Sequence, residues 1–423
     1  MTEDFLQYIW RYNLFEKINS TTDGRNLDII SVGQLNTDSG PDFFNAKIKI
    51  DDTIWVGNIE IHIKSSDWKR HNHHNDEAYN NVTLHIVKYF DTDVYDTKGR
   101  GIPTAILSYA NHFEENYKNL LANKHKIKCE NRIVEIDNFT ISSWISTLSI
   151  ERLSRKSKSI IIKLQQNNFN WEETFYQTIF RYFGMGTNSE PFEILARLVP
   201  LKVLAKHKNN LQSIEAILFG TAGFLRENKQ NDTYYNILKR EYAVMKTKFD
   251  LQEMDKSMWK FMRLRPVNFP TVRIAQTSML IYNSTSLFSK IIEANNTEQI
   301  KKLFNASTSE YWDTHYNFNK ESAKKMKKIG NTTINIILIN VIIPFVFVYG
   351  KEKNLPDFTD KALSFLEQIE AESNSIIKYW SSLNIISKSG FDTQALIELH
   401  NEYCLKNKCL NCRIGNKLIN KNE

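Results

Sequence analysis

Two patterns of hydrophobic positions divide this sequence of 423 residues. Over roughly the first quarter, apolar residues alternate with polar ones in short segments separated by Gly and Asp turns, which is typical of strands. From about residue 139 onward, apolar residues recur at the 3.6-residue spacing of helices. The predicted strands are 27–32, 43–50, 53–64, 82–87 and 103–108.

Helical signals near the N-terminus complete the order of elements. An apolar stripe after Thr2 predicts a first helix that ends at about Ile18. A polar segment over 72–80 predicts a second helix between two strands. We therefore predict an α+β fold that is mostly helical overall. It has an α/β sheet domain over residues 1–125 and a large all-α domain over residues 126–423.

The most apolar stretch runs from Ile334 to Gly350. It is slightly shorter than the roughly 18 residues typical of a membrane-spanning helix, and it contains two Asn and one Pro. We therefore predict a buried helix and no membrane partner. The first residues are acidic where a secretion signal is basic, so we expect a cytoplasmic protein.

Charge is distributed unevenly along the chain. Residues 1–125 hold 13 Lys and Arg against 18 Asp and Glu, whereas residues 126–423 hold 42 against 30. The helical part thus carries the net positive charge, and an excess of this kind favours polyanionic partners such as DNA or RNA.

Candidate chemistry is concentrated between Pro41 and His85. Asp42 lies at the start of a predicted strand, and the period of two places Glu60, His62 and Lys64 on one face of the next. Carboxylates on adjacent strands suit Mg²⁺ or Mn²⁺, and a nearby Lys or His can assist an attacking water. The alternative is a half-buried strand whose polar face meets solvent.

Five of the ten histidines lie within 24 residues. His71 and His73, together with Asp76, form either a metal site of their own or the polar start of a helix. His85 lies in an apolar strand, which favours a core histidine over a metal ligand. The five histidines are His62, His71, His73, His74 and His85.

Several motifs resemble an uncharacterised Bacteroidota protein family, DUF2851. The motifs are Gly40-Pro41-Asp42-Phe43, Trp55-x-Gly57-Asn58-Ile59-Glu60-Ile61-His62, Ser66-Asp67-Trp68, Leu218-Phe219-Gly220-x-Ala222-Gly223 and Arg263-Leu264-Arg265-Pro266-x-Asn268-Phe269-Pro270. The resemblance covers nearly the whole chain, including the terminal cysteines, but the family carries no activity to transfer.

The N-terminal part also resembles, more distantly, the PD-(D/E)XK nuclease superfamily, whose core runs helix, three strands, helix, strand. The resemblance implies a restriction-endonuclease-like sheet in which Asp42 and Glu60 bind Mg²⁺. This sequence departs from the pattern because His62 occupies the position of the superfamily's Lys, and Lys64 follows two residues later. Either residue has taken over the role, or the site is inactive.

Basic residues in the helical part are the candidate nucleic-acid contacts. Arg263, Arg265 and Arg273 lie among aromatic residues, and guanidinium groups suit phosphate while aromatic rings stack on bases. The alternative is that these arginines pair with acidic residues of the N-terminal domain.

Three of the four cysteines form the spacing Cys404-x4-Cys409-x2-Cys412. A Cys-x2-Cys pair with a third thiolate suggests structural Zn²⁺, for which Cys129 or His400 would be the fourth ligand. The alternative is a group of reduced, buried thiols.

Three functional hypotheses follow from these features. The first is a Mg²⁺- or Mn²⁺-dependent nuclease-like phosphodiesterase that uses Asp42, Glu60 and either His62 or Lys64. The second is a non-catalytic scaffold that binds nucleic acid or protein. The third is a zinc hydrolase built on His62, His71, His73 and Asp76.

Overall fold

The computed structural model describes residues 1–227, 231–284 and 286–422. It contains two compact units, one formed by residues 1–144 with 399–423 and the other by residues 145–398. This division differs from the predicted boundary between residues 125 and 126. The physical reason is that the last residues of the chain pack on the first unit: Asn116 donates hydrogen bonds to the carbonyl oxygens of Ile419 and Lys421 at 3.2 and 2.9 Å.

The helices are, in chain order, α1 (Glu3–Arg11), α2 (Asp67–Arg70), α3 (Asn111–Ala122), α4 (Asn138–Gln166), α5 (Trp171–Phe183), α6 (Ser189–Leu198), α7 (Leu201–Ala205), α8 (Leu211–Thr221), α9 (Thr233–Phe249), α10 (Pro270–Asn283), α11 (Leu287–Glu293), α12 (Thr297–Leu303), α13 (Asn331–Ile337), α14 (Ile343–Glu352), α15 (Pro356–Glu367), α16 (Ser375–Ser382), α17 (Gly390–Glu398) and α18 (Arg413–Ile419). The strands are β1 (Leu27–Ser31), β2 (Gln34–Leu35), β3 (Phe43–Ile50), β4 (Thr53–Lys64), β5 (Val82–Tyr89), β6 (Thr104–Ile106), β7 (His315–Asn317) and β8 (Lys320–Glu321). The predicted α+β, mostly helical fold is confirmed.

The first unit is built on one mixed sheet with the strand order β1-β3-β4-β5-β6, and β2 also pairs with β3. The strands β1, β3 and β4 are antiparallel, whereas β5 and β6 run parallel to β4. A tight turn at Asp51 and Asp52 joins β3 to β4, as the sequence predicts. An irregularity in β3 follows Phe43, where Asn45 adopts a left-handed conformation with φ of 56°. Bulges of this kind re-aim neighbouring side chains.

Two helices predicted near the N-terminus differ from those in the structure. The first helix ends at Arg11, not near Ile18, because Asn13 adopts a left-handed φ of 53° and Phe15 then forms a β-bridge with Tyr109. The predicted helix over 72–80 is replaced by two 3₁₀ turns, His73–Asn75 and Glu77–Tyr79, and the short helix α2 lies just before them. A left-handed residue, Asn72 with φ of 65°, separates these pieces.

The second unit consists mainly of helices around one continuous hydrophobic core that extends from Leu153 to Ile369. Its most apolar segment runs from Asn331 to Glu352 and comprises α13, a π-helical turn over Leu338–Ile342 and α14. Within the described residues, this segment alone is long and apolar enough to cross a membrane, and 78% of its most apolar window is buried inside the protein. It is thus a mostly buried helix, as predicted.

Candidate functional site

One face of the sheet in the first unit carries a row of buried polar side chains. Glu60 on β4 lies opposite His85 on the parallel strand β5, and His62 follows Glu60 on the same face. Their exposed fractions are 5% for Glu60, 0% for His85 and 1% for His62. The alternative of a polar strand face in contact with solvent is therefore wrong at these positions.

The elements that pack on β4 add further polar groups to this row. Helix α1 packs against β4, as does α2. Gln7 on α1 donates a 2.8 Å hydrogen bond to Asp42, and Glu3 on the same helix interacts electrostatically with His71. The turn after α2 contributes His71 and His73, so residues distant in sequence converge on one site.

The ligand atoms of three histidines form a compact group. His62, His71 and His73 each offer one nitrogen atom, and these atoms lie within 4.8 Å of one another. The Nε2 atom of His62 is 3.1 Å from Nδ1 of His71. Glu60 adds a carboxylate oxygen, Oε1, at 3.5 Å from Nε2 of His62 and 3.2 Å from Nε2 of His73.

These separations match the distances between ligands around a small divalent ion. Tetrahedral coordination with Zn–N and Zn–O bonds near 2.0–2.1 Å places neighbouring ligand atoms roughly 3.3 Å apart. A second observation favours a bound ion, because Nε2 of buried His73 has no hydrogen-bond partner although it faces Glu60. Coordination of an ion would give Nε2 of His73 the partner that it lacks.

Contacts around the histidines fix their orientations. Nδ1 of His62 lies 2.8 Å from Nε2 of His85, so one of these nitrogens donates to the other. If Nε2 of His62 binds an ion, its Nδ1 carries the hydrogen and His85 accepts it. Tyr79 stacks on His73 with ring centroids 3.8 Å apart, and the edge of Trp68 lies against both His73 and His85.

Asp42 lies beside Glu60, as the nuclease resemblance implies. Its backbone N–H donates to Oε2 of Glu60 at 3.1 Å, and its Oδ2 accepts from the backbone N–H of Ile61 at 2.9 Å. Its Oδ1 accepts the hydrogen bond from Gln7. Each oxygen of Asp42 thus already has a partner, whereas Oε1 of Glu60 faces only histidine nitrogens.

Burial shifts the pKa values of the carboxyl groups and of the buried histidines at this site. Desolvation, followed by the charge of Glu60, raises the pKa of Asp42 to about 7. Desolvation raises the pKa of Glu60 to about 8. Desolvation, together with the neighbouring histidines, lowers the pKa of His62 to about 2 and that of His85 to about 3, and desolvation also lowers the pKa of His73. These three imidazoles are therefore neutral at physiological pH, which is the form that binds metals.

Two predicted site residues lie outside this group. Lys64 is exposed at the end of β4. The alternation that placed Lys64 on the same face as Glu60 does not keep it in the site, because the strand ends there. Asp76 is also exposed, and its carboxylate accepts a hydrogen bond from the backbone N–H of Ala78.

The sequence patterns did not identify three residues as members of this site. Glu3 and Gln7 lie on a helix whose polar positions carry no motif, and the buried Oε1 of Glu3 has no hydrogen-bond partner. His85 is indeed a core histidine, yet it contacts His62 directly. Only the density of histidines in the sequence signalled this role.

The four cysteines converge on a second location in the first unit. Cys129, Cys404, Cys409 and Cys412 line one small cavity and are free thiols. Among the described residues, their sulfur atoms do not form a group as close as that of the histidine nitrogens. His400, the other candidate ligand, does not line this cavity.

The candidate arginines of the second unit differ in exposure. Arg263 and Arg265 are exposed. Arg273 is only 3% exposed, and it donates hydrogen bonds to Gln276 at 2.9 Å and to Asn268 at 2.7 Å. The guanidinium of Arg273 is thus part of the protein interior, which favours a structural role over contact with nucleic acid.

Comparison with known proteins places the chain in a family. No curated protein and no solved structure matches the sequence. The matching family model covers residues 3–375, which include the entire histidine group, whereas Cys404, Cys409 and Cys412 lie beyond the matched residues. The chain thus belongs to the family described as protein of unknown function DUF2851.

Proposed function

We propose that this protein is a metal-dependent hydrolase of phosphodiesters whose metal ligands are Glu60, His62, His71 and His73. The observation that carries the proposal is the spacing of the ligand atoms, with Nε2 of His62 at 3.1 Å from Nδ1 of His71 and 3.5 Å from Oε1 of Glu60. Imidazole ligands favour Zn²⁺, Mn²⁺ or a related transition ion over Mg²⁺.

The fit to a divalent cation is electrostatic as well as geometric. The neutral imidazoles of His62 and His73 cost little to bury, whereas the buried carboxylate of Glu60 is disfavoured until a cation compensates its charge. Desolvation by burial accordingly raises the pKa of Glu60 to about 8. Binding of the ion would displace the proton from Glu60.

A divalent ion at this site would lower the pKa of a coordinated water and polarise a phosphoryl oxygen. The protein supplies the other parts of the chemistry. Exposed His71 marks the side from which a substrate reaches the site. The unpartnered Oε1 of Glu3 and the nearby carboxylate of Asp42 are the candidate acceptors for the proton of the attacking water.

The phosphodiester substrate class rests on two further features. The first unit has a helix, three antiparallel strands and a following parallel strand, with Asp42 and Glu60 on adjacent strands. This is the arrangement that the resemblance to PD-(D/E)XK nucleases implies. The net positive charge of residues 126–423 also favours a polyanionic substrate such as DNA or RNA.

A Mg²⁺ site formed by Asp42 and Glu60 is the second candidate. It is favoured by the hydrogen bond from the backbone N–H of Asp42 to Glu60, which holds the two carboxylates side by side. It differs from the first candidate in its metal preference, and it does not require His73.

The test is cleavage of single- and double-stranded DNA and RNA, and of a chromogenic phosphodiester, by the full chain with Mn²⁺, Zn²⁺ or Mg²⁺. We expect Mn²⁺- or Zn²⁺-dependent cleavage that falls at least 100-fold in Glu60→Gln and in His73→Ala. The matched control is His74→Ala, because His74 lies in the same turn but outside the metal group.

Other outcomes distinguish the alternatives. Cleavage supported by Mg²⁺ and retained in His73→Ala would favour the Asp42–Glu60 site. A wild-type protein that binds the ion, binds nucleic acid and cleaves none of the substrates would refute the hydrolase proposal and favour the scaffold hypothesis.

A further inference from the structure

The four cysteines of the chain come from distant parts of the sequence and line one cavity of the first unit. Cys129 precedes a 3₁₀ segment, Glu130–Glu135, and Cys404 ends a π-helical turn. Cys409 begins the 3₁₀ turn Cys409–Asn411, and Cys412 immediately precedes α18. Since no disulfide joins them, the convergence of all four thiols calls for another explanation.

The turn that carries Cys409 and Cys412 resembles a loop that binds a metal ion through its cysteines. Backbone N–H groups of Ile414 and Gly415 donate to the sulfur of Cys412. Gly415 is required here, because an added Cβ would lie 2.1 Å from the carbonyl oxygen of Cys409. Hydrogen bonds of this kind to a ligand atom orient it toward a metal position.

The surroundings suit a small ion with several thiolate ligands. Lys128 lines the same cavity and its charge acts on Cys409, so a cationic side chain lies near a group that becomes negative when the thiols ionise. The cavity volume is about 20 Å³, which accommodates one ion.

We propose that Cys129, Cys404, Cys409 and Cys412 bind one Zn²⁺ ion that fastens the C-terminal segment to the rest of the first unit. Four sulfur ligands with a Cys-x2-Cys pair are typical of closed structural zinc sites. Each thiol that coordinates the ion releases its proton to solvent, and the side chains turn toward the cavity as the ion binds. With all four positions occupied by protein, the site is structural and has no place for a substrate.

This site is separate from the histidine group, but the two are linked through α1. The turn Cys409–Asn411 packs against α1, the helix that carries Glu3 and Gln7 to the histidine group. Loss of the ion therefore loosens the support of α1.

Cobalt substitution tests the proposal on the full chain. Co²⁺ bound by thiolates gives intense charge-transfer absorption in the near ultraviolet, which imidazole and carboxylate ligands do not produce. We expect this absorption in the wild type and undiminished in His73→Ala, and we expect its loss in Cys412→Ser. Its presence in His73→Ala keeps the result independent of the proposed hydrolase site.

A second measurement uses the wild-type protein, so it does not depend on whether a variant folds. The reaction of the native thiols with a thiol-specific chromogenic reagent is compared with and without added Zn²⁺, and metal is quantified by mass spectrometry. We expect Zn²⁺ to slow the reaction of all four thiols at least tenfold. Equal reactivity in both conditions, or a cobalt spectrum without charge-transfer absorption, would overturn the proposal.

Discussion

The role of His85 gives the sharpest test of the proposed metal site, because in that proposal this residue supports the ligand His62 without being a ligand itself. His85 is fully buried, and its Nε2 atom lies 2.8 Å from Nδ1 of His62. Its pKa is lowered to about 3 by burial and by His73, so the ring is neutral and Nε2 can accept the hydrogen of His62. Replacement with Phe keeps an aromatic ring of similar shape but removes the acceptor.

The expected effect is a loss of metal affinity, not of fold. Outer hydrogen bonds to metal-binding histidines typically contribute 10–100-fold in affinity, or about 1.4–2.7 kcal/mol. We therefore expect His85→Phe to weaken metal binding by a factor in this range. His85→Gln should retain most of the affinity, because the Gln side-chain oxygen reaches the position of Nε2 and also accepts a hydrogen bond.

Mn²⁺ is the suitable probe, because thiolates bind it poorly and the cysteine site therefore does not contribute. Titration of the full chain, with free Mn²⁺ followed by electron paramagnetic resonance, gives the dissociation constant for the wild type and both variants. Circular dichroism establishes that each variant is folded. A folded His85→Phe protein with wild-type affinity would refute the conclusion that His85 orients His62.

Three further predictions concern the second unit. Burial raises the pKa of Glu215 to about 7. The protonated side chain therefore contributes fully to the free energy of unfolding below the pKa that Glu215 has in the unfolded chain, and this contribution is lost as the pH rises through about 7. We expect denaturant titrations to show wild-type stability falling by about 3 kcal/mol between pH 4.5 and 7 relative to Glu215→Gln, and parallel profiles would contradict this. Gly220→Ala should lower the free energy of unfolding by about 1–3 kcal/mol because its Cβ would overlap the ring of Tyr242, whereas Gly330→Ala, which meets no atom within 4 Å, should be near neutral by the same measurement. Arg273→Met should cost about 1.5–3 kcal/mol in thermal or chemical unfolding and leave nucleic-acid affinity unchanged, and weakened binding by a folded variant would show that Arg273 has a role there.

Local patterns in the sequence determined the strands and the polar row on β4. Alternation predicted β3 and β4 with the turn at Asp51 and Asp52, because a strand with a buried face requires a period of two. The same alternation placed Glu60 and His62 on one face, and both are there. Periodicity also predicted the helical second unit, since each helix must bury an apolar stripe.

The ends of elements were decided by conformations that the hydrophobic pattern does not encode. Left-handed residues at Asn13 and Asn72 stop helices that the pattern would continue, because the chain there must turn to meet the sheet. The exposure of Lys64 has a similar origin, since it lies where β4 ends and the chain leaves the sheet.

Only the tertiary structure decided which residues form the sites. The pairing of β4 with β5 sets His85 against His62, and the packing of α1 on β4 brings Gln7 to Asp42. The return of the C-terminal segment to the first unit brings Cys412 near Cys129. These contacts join residues far apart in sequence, and no local periodicity records them, because long-range packing depends on the combined shape of many side chains.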